Sequence, residues 1–241
     1  MKIEETQKLK GQKILVIATG SIAAVKTPLL ISNLIKTGAE VRCIITPSAS
    51  RLVSPVSLST LSRNRCYEDK DQWDPQRVKP LHIELAEWAD LIAIAPLSAS
   101  SLSRWVNGLS EGLAASVLLA SERPVIAAAA MNTGMWKNQA VRNNWRKLQE
   151  FQNVIALSPS EGLLACDRIG EGRMANSEII QLALESAAIQ RFPLEKDFQG
   201  INLLVTSGAT IEDFDAARYL TNRSSGKMGV LLGQAARFRG A

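Results

Sequence analysis

Pro124-Val125-Ile126-Ala127-Ala128-Ala129 runs without a break into Ala130-Met131-Asn132-Thr133-Gly134-Met135-Trp136. The first six residues are apolar, short and opened by a proline, the pattern of a strand buried on both faces of a parallel sheet. In open α/β sheets ligands bind beyond the carboxyl ends of the strands. At that end stands Asn132, between two methionines, with an amide able to donate to an anion. A turn asparagine ahead of a core tryptophan is the plainer reading of the same residues, because asparagine is common in turns.

The same grammar repeats to either side. Lys13 to Ala18 reads as a first buried strand, and Thr19-Gly20-Ser21 turns into a helical stretch from Ile22 to Lys36, stopped by Gly38. That turn offers backbone N–H groups and the Thr19 and Ser21 hydroxyls at a helix N-terminus, where the macrodipole favours an anion such as phosphate. It lacks both the Gly-x-Gly-x-x-Gly of dinucleotide folds and the P-loop pattern, so an ordinary capped helix start reads equally well. Glu40 to Ile45 is a second strand with Cys43 as a small buried hydrophobe, closed by Thr46-Pro47-Ser48. Leu81 to Asp90 is a short helical piece that contains His82 and leads into a strand from Leu91 to Ala95. Ala95-Pro96-Leu97-Ser98-Ala99-Ser100-Ser101-Leu102 then starts another helix with hydroxyls at its N-terminus, as simple capping also requires. Asn138 to Phe151 is an amphipathic helix, Val154 to Leu157 a further strand, and Ser177 to Arg191 a closing helix. Strands alternating with helices predict an α/β fold with a doubly wound parallel sheet.

Composition bounds the function. The chain has 241 residues, 46% hydrophobic and 21% charged, enough to bury a good core. The net charge of +5 comes from scattered Lys and Arg without aromatic interleaving, which suits phosphorylated small molecules rather than nucleic acid. Three well-separated cysteines imply a reducing compartment and no disulfide framework; one histidine and no Cys-x-x-Cys pair argue against a zinc site, so no metal is expected. The start is polar rather than a signal peptide, and no apolar run approaches the ~20 residues of a membrane helix. A soluble, cytoplasmic protein with no membrane partner is therefore expected.

Ala-Met-Asn-x-x-Met-Trp at Ala130 to Trp136 resembles the substrate-binding signature of the homo-oligomeric flavin-containing cysteine decarboxylases, a family that includes phosphopantothenoylcysteine decarboxylase. Thr-Gly-Ser-Ile-Ala-Ala at Thr19 to Ala24 resembles the loop that holds the FMN phosphate there. The resemblance thus implies FMN contacts from Gly20, Ser21, Ile22, Thr46, Ser48, Ser98, Ser100, Ser101 and Ala130. The segment Ile-Glu-Leu-Ala-x-Trp-Ala-Asp-Leu beside His82 matches the family's active-site histidine segment. A lone histidine is ordinarily a surface or capping residue, yet its pKa range suits proton transfer near neutral pH and the chain offers no other imidazole. Ala-Cys-x-x-x-Gly-x-Gly-Arg-Met at Ala165 to Met174 is like the family's substrate-recognition clamp. Three residues depart from the family pattern: Ala129 for a proline, Ser100 for an asparagine and Asp167 for a glycine.

The glycine-rich stretch Gly162 to Met174 itself reads as too polar for core and as an irregular, lid-like segment. Within it Cys166 is a candidate proton donor or reactive thiol, or an incidental free cysteine. Cys66 precedes a charged, loop-like region from Glu68 to Lys79 and receives no role.

Beyond residue 191 the chain begins again. Residues 192–199 read as a linker, and Gly200 to Gly208 echoes Gly11 to Gly20, followed by a helix from Val230 to Arg239. One βα unit of roughly forty residues cannot bury its own apolar face, so an incomplete second domain over 200–241 is expected after a first domain over 1–191. Tyr219-Leu220-Thr221-Asn222-Arg223-Ser224-Ser225-Gly226-Lys227-Met228-Gly229 resembles the start of phosphopantothenate–cysteine ligases, in the order found in bifunctional coenzyme A biosynthesis proteins.

The resemblance implies a flavodoxin-like or Rossmann-like fold that binds FMN and decarboxylates 4′-phosphopantothenoylcysteine to 4′-phosphopantetheine. It also implies a homotrimer or a multiple of trimers, since the family binds flavin at trimer interfaces. In that chemistry the substrate's CH₂–S⁻ group is oxidised to a thioaldehyde, CO₂ leaves, and the enethiol is reduced with a proton supplied. By resemblance His82 does acid/base and orienting work, Asn132 holds the carboxylate, Cys166 supplies the later proton, and Met135, Arg173 and Met174 close on the substrate. A decarboxylase of peptide C-terminal cysteine, or a regulatory flavin-binding homologue with a degenerate site, would share many of these residues. No ligase activity is expected of this chain.

Overall fold

The computed structural model describes residues 8–163, 169–190 and 196–241. The chain forms two compact units, Met1–Leu194 and Glu195–Ala241. In the first, β1 (Lys13–Ala18), α1 (Thr27–Lys36), β2 (Glu40–Ile45), α2 (Pro55–Ser62) and β3 (Cys66–Tyr67) make one half of the sheet. After α3 (Leu81–Trp88) come β4 (Leu91–Leu97), α4 (Ala99–Val106), α5 (Gly112–Ala120) and β5 (Val125–Ala129). Next are α6 (Thr133–Lys137), α7 (Gln139–Gln149), β6 (Val154–Leu157), β7 (Ser160–Leu163), β8 (Ile169–Arg173) and α8 (Ser177–Ile189).

The six-stranded sheet has the order β3-β2-β1-β4-β5-β6, with every pair parallel. That is the Rossmann order; because β3 is only two residues long, the longer strands alone follow the flavodoxin order. β1, β4 and β5 are almost wholly buried, as their unbroken apolar runs require. Leu15, Ile17, Ile92, Ile94 and Ala127 pack with Leu85 of α3, Trp105 of α4, Val117 of α5 and Trp145 of α7. Their strand neighbours Ile14, Val16 and Ala93 alternate to the opposite face, where α8 packs on β4 and β5 and α1 on α2 and α8. The order reverses between β1 and β4, so the loops after these strands diverge and leave a crevice at their carboxyl ends.

Several elements differ from the sequence expectation for local reasons. Residues Ile22–Lys26 are a 3₁₀ helix, and the α-helix starts only at Thr27. Pro28 explains the break, because it has no N–H to donate back and sits comfortably in a first helical turn. β4 continues past Ala95 to Leu97, through a cis Ala95–Pro96 bond and a register shift against β5. The helix expected over Asn138 to Phe151 is α7, and a short α6 precedes it, each capped by an asparagine side chain, Asn138 and Asn132 respectively. Cys66 pairs in β3, and Asp69–Trp73 within the presumed loop is a 3₁₀ helix with a reciprocal Glu68 and Asp71 cap.

The stretch read as irregular and non-core is in part an antiparallel ribbon of β7 and β8, and Gly172 and Met174 at its end are buried. Cys166 and Asp167 lie outside the described residues, as does Arg191.

In the second unit no strand forms over residues 201–207, against expectation. A parallel strand needs a ladder partner, and among the unit's described residues none pairs with this segment. β9 (Ile211–Asp213) instead pairs antiparallel with β10 (Tyr219–Thr221), followed by α9 (Lys227–Phe238). Leu204, Phe214, Leu220 and Met228 stay exposed, so the unit buries little apolar surface of its own. No helix among the described residues is long and apolar enough to cross a membrane.

Candidate functional site

Three chain turns build the crevice. After β1, Thr19 is fully buried: its hydroxyl donates to the Pro96 carbonyl at 2.8 Å and accepts the Ser98 N–H at 2.8 Å. The Thr27 hydroxyl donates to the Ala95 carbonyl at 2.9 Å. These bonds satisfy buried groups at the end of β4 and staple the β1 turn to it. Thr19 therefore does not offer its hydroxyl to an anion, contrary to the sequence reading. Ser21 caps the 3₁₀ helix, accepting the Ala23 N–H at 3.5 Å. Gly20 between them is required by contact: a Cβ there would lie 2.5 Å from Cβ of Ser48 in the turn after β2.

After β4, Ser98 caps α4 by accepting the Ser101 N–H at 3.3 Å, and its hydroxyl lies 3.2 Å from that of Ser101. After β5, Asn132 caps α6 by accepting the Gly134 N–H at 2.8 Å. Trp136 is buried in the core behind it, so the turn-asparagine reading is structurally correct, and the same Asn132 also lines the crevice.

A cleft of about 700 Å³ gathers Gly20, Ser21 and Ile22 from the first turn, Ser98 and Ser100 from the second, and Ala130, Asn132 and Met135 from the third. Arg173 and Met174, arriving from β8, close its far side. The Arg173 side chain crosses Gly162 of β7, where an added Cβ would meet its Nη1 at 2.5 Å and its Cδ at 2.8 Å. A second cavity of about 270 Å³ shares Gly20, Ser98 and Ser100 with the cleft and adds Thr46, Ser48, Ser101, Asp69 and Arg104. A large cleft with apolar walls beside a small polar cavity, lined by serine and threonine hydroxyls, Arg104 and the Asp69 and Glu111 carboxylates, suits a ligand with a flat apolar body and a polar tail.

The sequence reading missed Lys26, Met131, Asp69 and Arg104, which also line these cavities. Lys26 carries a readable signal, since it ends the one-turn helix that Pro28 terminates. Asp69 carries none, because it reaches the site through the fold, where its carboxylate accepts the Leu113 N–H at 2.9 Å. His82 lines neither cavity; it sits half-buried at the start of α3. Just before it, Trp73 is 82% exposed and Val78 is fully exposed.

Comparison with known proteins supplies a family. The Flavoprotein family matches residues 2–187, and the family described as DNA/pantothenate metabolism flavoprotein C-terminal domain matches residues 198–241. The coenzyme A biosynthesis bifunctional protein CoaBC of Haemophilus influenzae is 40% identical over 235 residues, which is 97% of this chain and 57% of that protein. That of Bacillus subtilis is 39% identical over 232 residues, 95% of this chain and 55% of that protein. The chain therefore spans little more than half the length of these curated relatives. Among solved structures, a PPC decarboxylase mutant complexed with pantothenoylaminoethenethiol superposes with a TM-score of 0.67 at 32% identity, over 73% of this chain and 97% of that one. The FMN binding protein AtHal3 superposes with a TM-score of 0.65 at 33% identity, over 73% of this chain and 95% of that one.

Proposed function

The chain belongs to the flavoprotein family, and from that premise we propose that its first unit is an FMN-dependent decarboxylase of 4′-phosphopantothenoylcysteine. The observation that carries the reading is the convergence of Gly20, Ser21, Ser98 and Ser100 with Asn132, Met135, Arg173 and Met174 on one cleft. The donor set fits FMN: the hydroxyls of Ser48, Ser98 and Ser101 and the turn at Gly20 face the smaller cavity and would hold its phosphate. Ile22, Ala130 and Met131 offer apolar wall to the ring system in the cleft. When bound, FMN supplies a two-electron acceptor and donor for the carbon that carries the substrate thiol.

The protein's own groups do the rest. Asn132 holds the substrate carboxylate through its amide, and Lys26 and Arg173 give the cleft wall positive charge that favours a phosphorylated acid. Met135 and Met174 exclude water beside the reacting carbon. Cys166 delivers a proton to the enethiol. Acid/base work falls to His82, which a second copy of the chain brings to the cleft in a trimer; Trp73 and Val78, ahead of it in sequence, are exposed. Residues 1–191 form the catalytic domain, 192–199 a linker, and 200–241 the beginning of a ligase-like domain.

The test is the absorbance spectrum of the purified protein and a CO₂ assay on phosphopantothenoylcysteine. A flavin spectrum with turnover is expected. Colourless protein defeats the reading, flavin without turnover makes the protein a flavin-binding regulator, and turnover confined to peptides ending in cysteine reassigns the substrate.

A further inference from the structure

Trp136 lies in the core with 3% of its surface exposed. Its indole is fixed on two sides, edge-to-face against Trp145 at 5.2 Å between centroids and under the Arg142 guanidinium at 4.8 Å. The polar handle of such a ring is its N–H, which needs a partner when buried. Here the Trp136 Nε1–H donates to the Glu171 carboxylate at 3.1 Å.

Glu171 belongs to β8, and its neighbours repeat the contact. The Met131 N–H donates to the Gly172 carbonyl at 3.1 Å. Gly170 lies so close to α6 that a Cβ would stand 2.7 Å from Oγ1 of Thr133. Three consecutive residues of β8 are thus docked on Met131, Thr133 and Trp136, the residues that surround Asn132. The next two residues of the ribbon are Arg173 and Met174, which line the cleft.

From this geometry we infer that Glu171 is a positioning residue: its bond to the Trp136 indole latches the β7–β8 ribbon onto α6 and so fixes Arg173 and Met174 opposite Asn132 and Met135. The backbone bond from Met131 and the close fit at Gly170 align the strand but do not depend on any side chain of β8. Glu171 is the side-chain contact, and it is charge-assisted. Glu171 is itself exposed, so removing it replaces the charge-assisted acceptor with water and takes away a tie that exists only while the ribbon is down, and the loss falls on the closed cleft. Substrate binding, which needs the closed cleft, then weakens, while the flavin contacts on the β1, β2 and β4 turns are untouched.

The inference rests on the decarboxylase reading, and the experiment separates the two. Glu171→Ala and Glu171→Gln are purified as flavin-loaded full chains. Their KM and kcat for phosphopantothenoylcysteine are measured with flavin content and with hydrogen–deuterium exchange over residues 169–174. Glu171→Ala is expected to raise KM about tenfold with kcat within about twofold and flavin content unchanged, and to speed exchange over that segment. Glu171→Gln keeps an acceptor oxygen in place and is expected to restore both KM and exchange. An unchanged KM in Glu171→Ala, a Gln variant as impaired as the Ala variant, or a loss of flavin overturns the latch. Should wild-type protein show no turnover, the decarboxylase reading fails instead. The latch is then judged by exchange alone, and is overturned if the three proteins exchange alike.

Discussion

At the scale of single residues, the site turns on groups whose roles follow from what they touch. Gly20 is pressed against Ser48, so a side chain there cannot be absorbed by a small rearrangement of one turn. Gly20→Asp also places a negative charge where the FMN phosphate is proposed to bind, and purified variant is expected to retain no FMN after gel filtration while its far-ultraviolet circular dichroism stays that of the wild type. Retained yellow colour would move the phosphate elsewhere. The glycine, Ser21 and Asn132 were legible because a turn after an apolar run announces itself locally. The fate of Thr19 was not, because its partners Pro96 and Ser98 stand far along the chain and only strand order brings them near. Cys43 and Cys66 sit side by side on β2 and β3, both buried. Burial, reinforced by the Glu68 and Asp71 carboxylates, pushes the Cys66 thiol up from 9.0 to about 12, and burial raises Cys43 as well. In the unfolded chain these thiols ionise near their ordinary value, so the folded state keeps its full stability below that pH. It then loses stability as pH rises toward the folded pKa, by about 1.4 kcal/mol per pH unit for each thiol. The fall in urea midpoint between about pH 8 and about pH 10.5 should accordingly be smaller in Cys66→Ala than in wild type. Equal falls would mean that Cys66 ionises as readily folded as unfolded.

At the scale of elements, strands were easier to read than the pieces that shape the cleft. β1, β5 and β6 are almost wholly apolar runs and β2 ends in one, so their burial is written in the sequence, and their observed bounds lie close to those expected. The 3₁₀ turn before α1 had only a local sign in Pro28, while the short α6 and the β7–β8 ribbon meet through contacts between segments far apart in sequence, and periodicity is silent on all three. The ribbon matters most, because its glycines, which made it look like loop, are where α6 and Arg173 approach its backbone. Cys166, the proposed proton donor, lies in sequence between β7 and β8. On the proposed mechanism, loss of CO₂ depends on the carboxylate contact of Asn132 and on His82, whereas protonation of the enethiol depends on the donor. Cys166→Ser is therefore expected to release CO₂ yet fail to finish, since a serine hydroxyl is a far weaker acid than a thiol. Anaerobic mass spectrometry should find a decarboxylated product lighter than phosphopantetheine by one H₂. Normal yield of phosphopantetheine would leave Cys166 without a role.

At the scale of the whole molecule, the chain's one histidine poses a problem of place. The residues proposed to bind flavin and substrate converge on a cleft in one copy of the first unit, and His82 lines neither that cleft nor the cavity beside it. Composition identified the histidine as the imidazole available for proton transfer, but no local pattern tells which copy of a chain a residue serves. If a neighbouring subunit brings His82 to the cleft, each site is made of Asn132 from one chain and His82 from another. His82→Asn and Asn132→Asp are then inactive for separable reasons, and neither substitution touches the proposed phosphate cavity, so both variants are expected to keep FMN. Mixing the two variants before assembly creates sites that pair an intact Asn132 from the first with an intact His82 from the second. In a cyclic trimer assembled at random from equal amounts, about a quarter of the sites are of this kind. Co-expressed variants should thus recover about a quarter of wild-type decarboxylation per flavin, whereas the same proteins mixed after assembly, without subunit exchange, should recover none. Failure to recover activity from co-assembled protein whose mixed subunits are verified by two affinity tags would place both residues on one chain's own site, or remove His82 from the chemistry altogether. Full activity in His82→Asn by itself would decide for the second of these.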